Sequence, residues 1–153
     1  MRRKVAAAFA TACLDVVEQR TCGYERLRQS ANDYRLYLLC IYDASGEKLS
    51  AQVPAGRTCG TKPCWKALRT GGFKYADKTG TPEGVTKILP KGGDAGKGKV
   101  GVNGIGTNLA FPTLPLSTPV HVQLRQSGSG ACWEAIYSTA TMTTASEFKA
   151  KSD

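Results

Sequence analysis

One histidine, two methionines and two tryptophans in 153 residues leave few of the side chains on which catalysis usually rests. A single imidazole excludes metal sites built on two or three histidines. Nor is that one imidazole, His121, expected to serve a cysteine or serine nucleophile easily. If the late hairpin turns near Gly128, Cys132 faces Leu124 and His121 faces Ala135, which sets the two several ångströms apart along the ladder. The twelve acids are scattered, mostly through expected turns and helices. Glu134 is the one acid inside an expected core hairpin, so no carboxylate pair marks a glycosidase-like cleft. No apolar run approaches the ~18–20 residues that a membrane-spanning helix needs. No catalytic residue, cofactor site or metal site is assigned on these grounds.

Glycine, by contrast, is plentiful at 17 residues, and most of it falls between Gly71 and Gly106. That spacing suits short strands and turns better than long helices. Two stretches there imitate phosphate-binding loops. Gly96 to Gly101 spells GxGxxG, and Gly93 to Lys99 spells GxxxxGK. Phosphate binding needs such a loop to open a helix whose N-terminal amides point at the anion. Here the chain continues as Val100-Gly-Val-Asn-Gly104, strand-like and broken by glycine.

The net charge of +9 is concentrated. Between Arg57 and Lys99 lie ten Lys or Arg against three Asp or Glu. Such a segment attracts polyanions, and it also serves to keep strand edges from pairing. Within it Trp65, Lys66, Arg69, Phe73, Lys74, Tyr75 and Lys78 interleave rings with cations. Rings so placed can stack on bases or sugars while cations neutralise phosphate or carboxylate. The plainer expectation is a strand with aromatics inward and lysines outward. The candidate polyanion face is therefore Trp65, Lys66, Arg69, Lys74, Tyr75 and Lys78.

Residues 1–33 read as a helical N-terminal segment, rich in alanine and compatible with a 3.6-residue period at Val5, Phe9 and Ala12. Met1-Arg-Arg-Lys followed by Val5 to Ala12 also has the shape of a short secretory signal. The competing readings are a chance alanine-rich helix and a start placed inside a longer chain. From Tyr34 the pattern changes to strands, which makes 34–153 one disulfide-stabilised β domain. Tyr34 to Tyr42 is almost wholly apolar, as in a strand covered on both faces. Glu47–Val53, Cys64–Leu68, Gly72–Tyr75, Val85–Leu89, Lys97–Asn103, Val120–Arg125 and Ala131–Ser138 complete the set, and the tail from Thr144 is a helical turn or frayed. Seven or eight short strands imply a mainly β fold, an immunoglobulin-like or similar sandwich.

Cys40, Cys59, Cys64 and Cys132 sit in or beside these strands and suggest a disulfide framework made in an oxidising compartment. Cys40 with Cys132 is the preferred pair, closing a loop of about 90 residues worth ~4–5 kcal/mol in the chain-entropy account. Cys59 and Cys64 can bridge if their loop folds back. Cys13 and Cys22 pair with each other or stay free.

From about Leu36 onward the chain resembles an uncharacterised β-rich module of secreted bacterial proteins. The resemblance is carried by LLCIYDASG (38–46), TCGTKPCWKA (58–67), GFKYADKTGTPEGV (72–85), AGKGKVGV (95–102), TNLAFPTLPL (107–116), VHVQLR (120–125), CWEAIY (132–137) and EFKAKSD (147–153). It implies an extracellular β unit and no catalytic residues. The expectation is a secreted or surface-displayed, monomeric accessory or interaction module, its partner another extracellular protein. The alternative is a module binding an acidic glycan or nucleic acid through the basic 57–99 face, and a hydrolase with an unseen site is the remaining one.

Overall fold

The computed structural model describes residues 2–9, 36–69, 72–91, 98–106, 108–126 and 132–153, with backbone alone for 2–9, 91 and 98. The fold is mainly β, and the described residues include no helix. Its strands are β1 (Arg2–Phe9), β2 (Leu36–Asp43), β3 (Gly46–Pro54), β4 (Thr58–Cys59), β5 (Lys62–Pro63), β6 (Trp65–Ala67), β7 (Phe73–Ala76), β8 (Val85–Lys91), β9 (Gly98–Ile105), β10 (Val120–Gln126), β11 (Cys132–Tyr137), β12 (Ala140–Thr143) and β13 (Phe148–Ala150). A five-stranded antiparallel sheet runs in the order β1-β9-β8-β7-β6, and a four-stranded one in the order β11-β10-β2-β3. Two small hairpins, β4-β5 and β12-β13, complete the described strands.

Both large sheets feed one apolar core. Leu39, Ile41, Leu49, Ala51, Val53, Val120, Val122, Leu124 and Ala135 come from the four-stranded sheet. Tyr75, Val85, Ile88, Val100 and Val102 come from the five-stranded one. Period-two alternation explains this: along β10, Val120, Val122 and Leu124 are buried while His121, Gln123 and Arg125 are half-exposed. The strand β2 breaks the alternation because Leu38, Cys40 and Tyr42 are also buried, in a separate cluster on its other face. The expectation of a strand covered on both faces is met there.

Buried carboxylates anchor two turns. Asp43 closes the β2–β3 turn by accepting Ser45 N–H at 2.8 Å and Ser45 Oγ–H at 2.7 Å. It also accepts Ser117 N–H at 3.2 Å, which ties the proline-rich crossing to that turn. Glycine at φ +127° makes the corner at Gly46. Asp77, at the end of β7, accepts the backbone N–H and the hydroxyl of Thr79 at 2.8 and 2.6 Å. Burial pushes both carboxyls upward, but these hydrogen bonds, with Lys48 near Asp43 and Arg57 near Asp77, outweigh it and hold both below the ordinary carboxylate range.

Four expectations need correction. Arg2–Phe9 is a strand, not part of a helix: it pairs with β9 from Arg2–Ile105 to Phe9–Gly98, and an available sheet edge overrides the helix preference of alanine. The rest of the 1–33 expectation lies outside the described residues, as do Cys13 and Cys22. The tail forms the hairpin β12-β13, whose turn is held by Thr144 N–H to Glu147 O at 2.8 Å and Glu147 N–H to Thr144 Oγ1 at 3.0 Å. In the β10-β11 hairpin the register is one residue off: Cys132 lies opposite Arg125, and His121 opposite Ile136. The fourth correction is Cys40 with Cys132. Both are disulfide-bonded, but β10 runs between their strands, with Cys40 opposite Gln123 and Cys132 opposite Arg125. Two strand spacings put their α-carbons ~9–10 Å apart or more, past the ~7 Å limit for a bridge.

Candidate polyanion-binding face

On the five-stranded sheet, Trp65, Tyr75, Ile88, Val100 and Val102 face the core, so the alternate residues face away from it. Those alternate positions are Lys66 on β6, Lys74 and Ala76 on β7, Lys87 and Leu89 on β8, and Lys99, Gly101 and Asn103 on β9. Each is half-buried or exposed. The register sets them in rows across the strands. Lys66 is opposite Lys74; Ala76, Lys87 and Asn103 form a second row, and Leu89 lies opposite Gly101. By backbone register Lys4 continues the Lys87–Asn103 row, Ala6 continues the Leu89–Gly101 row, and Lys91 lies opposite Lys99.

The sequence of this sheet is charged in one sense only. Its five strands carry eight Lys or Arg and no Asp or Glu. Among the described residues, the nearby acids are committed elsewhere. Asp77 is only 3% exposed and is approached by Arg57 Nη2 at 3.6 Å. Glu83 accepts the backbone N–H of Gln52 on the neighbouring sheet. Neither is left to balance the lysines. Directly opposed like charges cost about 0.2–1 kcal/mol, and Lys66–Lys74 is such a pair.

Among the expected face residues, the structure brings Lys66 and Lys74 together as exposed or half-exposed cross-strand neighbours. Arg69 and Lys78 are exposed on the connections that flank β6 and β7. Trp65 and Tyr75 go the other way. Their rings meet at 5.3 Å between centroids, tilted by 52°, on the core side, with Tyr37 at 4.3 Å from Trp65, and Trp65 Nε1–H donates to Pro54 O at 3.2 Å. Burial also pushes the Tyr75 hydroxyl up to about 12, helped by the Asp77 charge. So the plainer expectation holds for Trp65 and Tyr75, which face inward while Lys66 and Lys74 face outward. Phe73 is 56% exposed, but it shares the strand parity of Tyr75, not that of Lys74.

Lys87, Lys99 and the open Gly101 are not among the expected site residues. Their signal is present in the sequence as polar or glycine residues at every second position from Lys97 to Asn103 and as Lys87-x-Leu89-x-Lys91. The GxGxxG resemblance masks it. Gly98 to Gly101 belong to strand β9, with no helix to receive a phosphate.

The edge of the sheet is held by a covalent clip. Cys59 and Cys64 are disulfide-bonded with α-carbons 5.0 Å apart, closing the β4-β5 hairpin. Cys64 N–H donates to Arg57 O at 2.9 Å, and Ala76 N–H donates to Cys64 O at 3.0 Å. Arg57 in turn donates to the carbonyl and hydroxyl of Thr81. These contacts fix β6 against β7, and with them Lys66 against Lys74.

The four-stranded sheet carries a different polar group. Gln123 Nε2–H donates to Glu134 Oε1 at 2.8 Å, and His121 Nδ1 lies 3.5 Å from the same oxygen. The one-residue shift of the hairpin brings these side chains to one face. No cluster of three His, Cys, Asp or Glu suited to a metal ion occurs among the described residues. Among them, no helix is long and apolar enough to cross a membrane. In comparison with known proteins, no protein-family model matches the chain, and neither a curated protein nor a solved structure matches it.

Proposed function

We propose that the protein is a non-catalytic extracellular binding module whose working surface is the lysine-bearing face of the five-stranded sheet, and that its ligand is an acidic polymer. In this reading the two large sheets form a β-sandwich, and the face away from the core is presented to solvent. The observation that carries it is a set of five strands with eight cations and no carboxylate. Cation repulsion costs stability unless something else uses the charge, and Lys66 against Lys74 repeats that cost at a fixed register position. A polymer that replaces condensed counterions along such a face gains affinity from their release, so binding weakens steeply with salt. Export is supported by the Cys59–Cys64 bond and by the bonded state of Cys40 and Cys132, since such bonds persist in oxidising compartments.

The test is retention on immobilised heparin across a sodium chloride gradient. Retention well beyond that of a cation exchanger of equal charge density supports the reading. Elution with the unbound fraction at low salt ends it. An accessory role through a protein partner would leave this retention absent.

A further inference from the structure

The Lys87–Asn103 row and the Lys91–Lys99 row leave a strip without charge between them on β8 and β9. Along β8 the order is Lys87, Leu89, Lys91 at alternate positions, and along β9 it is Asn103, Gly101, Lys99. The strip is Leu89 opposite Gly101, continued in register by Ala6. A Cβ built on Gly101 meets nothing within 4 Å, so the space above it is open. Glycine is not there for its backbone freedom, because Gly101 is not among the positive-φ glycines. Nor is it there for close packing, in contrast with Gly84 and Gly104, where a Cβ would strike Leu109 at 2.4 and 2.5 Å. A strand-interior glycine with neither reason costs stability relative to a residue with a side chain. What it provides is a smooth floor. Four residues at about 3.3 Å each set the Lys87 and Lys91 positions ~13 Å apart, on either side of that floor.

We propose that this strip seats an acidic polysaccharide running across the strands, its rings over Leu89 and Gly101 and its carboxylates or sulfates reaching the lysine rows on both sides. The proposal rests on the reading of this face as a polyanion site and adds the class of polymer and its course. Three observations favour a glycan. Cations flank the strip on both sides, which matches a chain whose successive rings present anions to alternating edges. A single nucleic-acid strand carries its phosphates along one edge and gains about 1–3 kcal/mol per base from aromatic platforms. Among the described residues this face offers none, since Trp65 and Tyr75 pack against each other on the core side. Asn103, half-exposed beside the strip, adds an amide suited to sugar hydroxyls.

The experiment measures binding of a heparin octasaccharide, inorganic polyphosphate and a (dT) oligonucleotide of matched charge to the wild-type protein and to Gly101→Val and Gly101→Leu. Each substitution places a side chain in open space on a β-strand, where the fold accepts it, and near-UV circular dichroism checks this. The expected result is at least tenfold tighter binding of the octasaccharide than of the oligonucleotide, and at least tenfold loss of octasaccharide affinity in both variants. Polyphosphate affinity, which reads charge alone, stays within twofold. Amide shifts in wild-type protein on adding octasaccharide should centre on Lys87, Gly101 and Lys99, which needs no variant. Unchanged octasaccharide affinity in the variants overturns the course over Gly101, and tighter oligonucleotide binding replaces the glycan with nucleic acid. Failure of all three polymers to bind at low salt overturns the polyanion reading itself.

Discussion

The two large sheets share one core but treat their other faces in opposite ways. The four-stranded sheet balances its charge, with Lys48 and Arg125 against Asp43, Glu47 and Glu134, and buries Leu38, Cys40 and Tyr42 away from the core. The five-stranded sheet leaves lysines, a glycine and an asparagine half-buried or exposed on the corresponding face, and its strands supply no acid to offset them. Balanced charge and burial are what stability alone selects. One-sided charge on an open face works against stability, so the five-stranded sheet is the place to look for a ligand.

The sharpest contrast lies between two glycines of one region. Gly84→Ala should cost about 3 kcal/mol or more, because φ is +75° and the new Cβ would sit 2.4 Å from the Leu109 backbone. Gly101→Ala should instead be neutral or stabilise by about 0.5–1 kcal/mol. Chemical denaturation of both variants checks this, and a destabilised Gly101→Ala would mean the strip is not open. Reversing Lys66, Lys74, Lys87 and Lys99 to Glu together should weaken heparin affinity by about a hundredfold at low salt. Reversing Lys48 and Arg125 on the other sheet should leave it within a few-fold. Equal losses in the two variants would show that net charge, not the face, is what binds.

Titration separates the core from the turns. Tyr75 and Tyr137 are both pushed up to about 12 by burial in the core. A raised folded-state value favours the neutral phenol, so this stability is whole below about pH 10 and is lost as pH climbs toward 12, by about 2–3 kcal/mol for each. The depressed carboxyls of Asp43 and Asp77 act at the other extreme. Their contribution is whole above the ordinary carboxylate value near 4 and disappears as pH falls below it. Thermal melts across pH should show both losses, and Asp77→Asn should blunt the acid one. The smallest expected effect is the most telling: Lys66→Glu should raise stability by about 0.2–1 kcal/mol by turning repulsion with Lys74 into attraction, while lowering heparin affinity.

Eight of the thirteen strands were legible in the sequence because their residues alternate or, in β2, are apolar throughout. The strand β1 was not, since an alanine-rich segment carries helix preference locally and β9 supplies the competing edge only in three dimensions. The hairpin β12-β13 was missed because Thr141, Met142, Thr143 and Lys149 are all exposed, leaving no apolar period to read. In β10-β11 the Ser/Gly-rich sequence between Gln126 and Cys132 left the register open by one, enough to change which face Cys132 and His121 share. The Cys40–Cys132 pairing failed for a related reason: strand order in a sheet is a non-local property, and β10 inserts between the two. Of the candidate face, Lys66 and Lys74 were legible from alternation with aromatics. Lys87 and Lys99 were not, because the cross-strand rows that set Lys87 between Ala76 and Asn103, and Lys99 opposite Lys91, exist only after β7, β8 and β9 have paired.

The most direct measurement is the dependence of heparin affinity on sodium chloride, fitted as log K against log concentration. The account requires a slope of about −4 or steeper for the wild-type protein, flattening by roughly one unit for each of Lys66, Lys74, Lys87 and Lys99 replaced by alanine. A slope near zero, or one that these replacements leave unchanged, contradicts it.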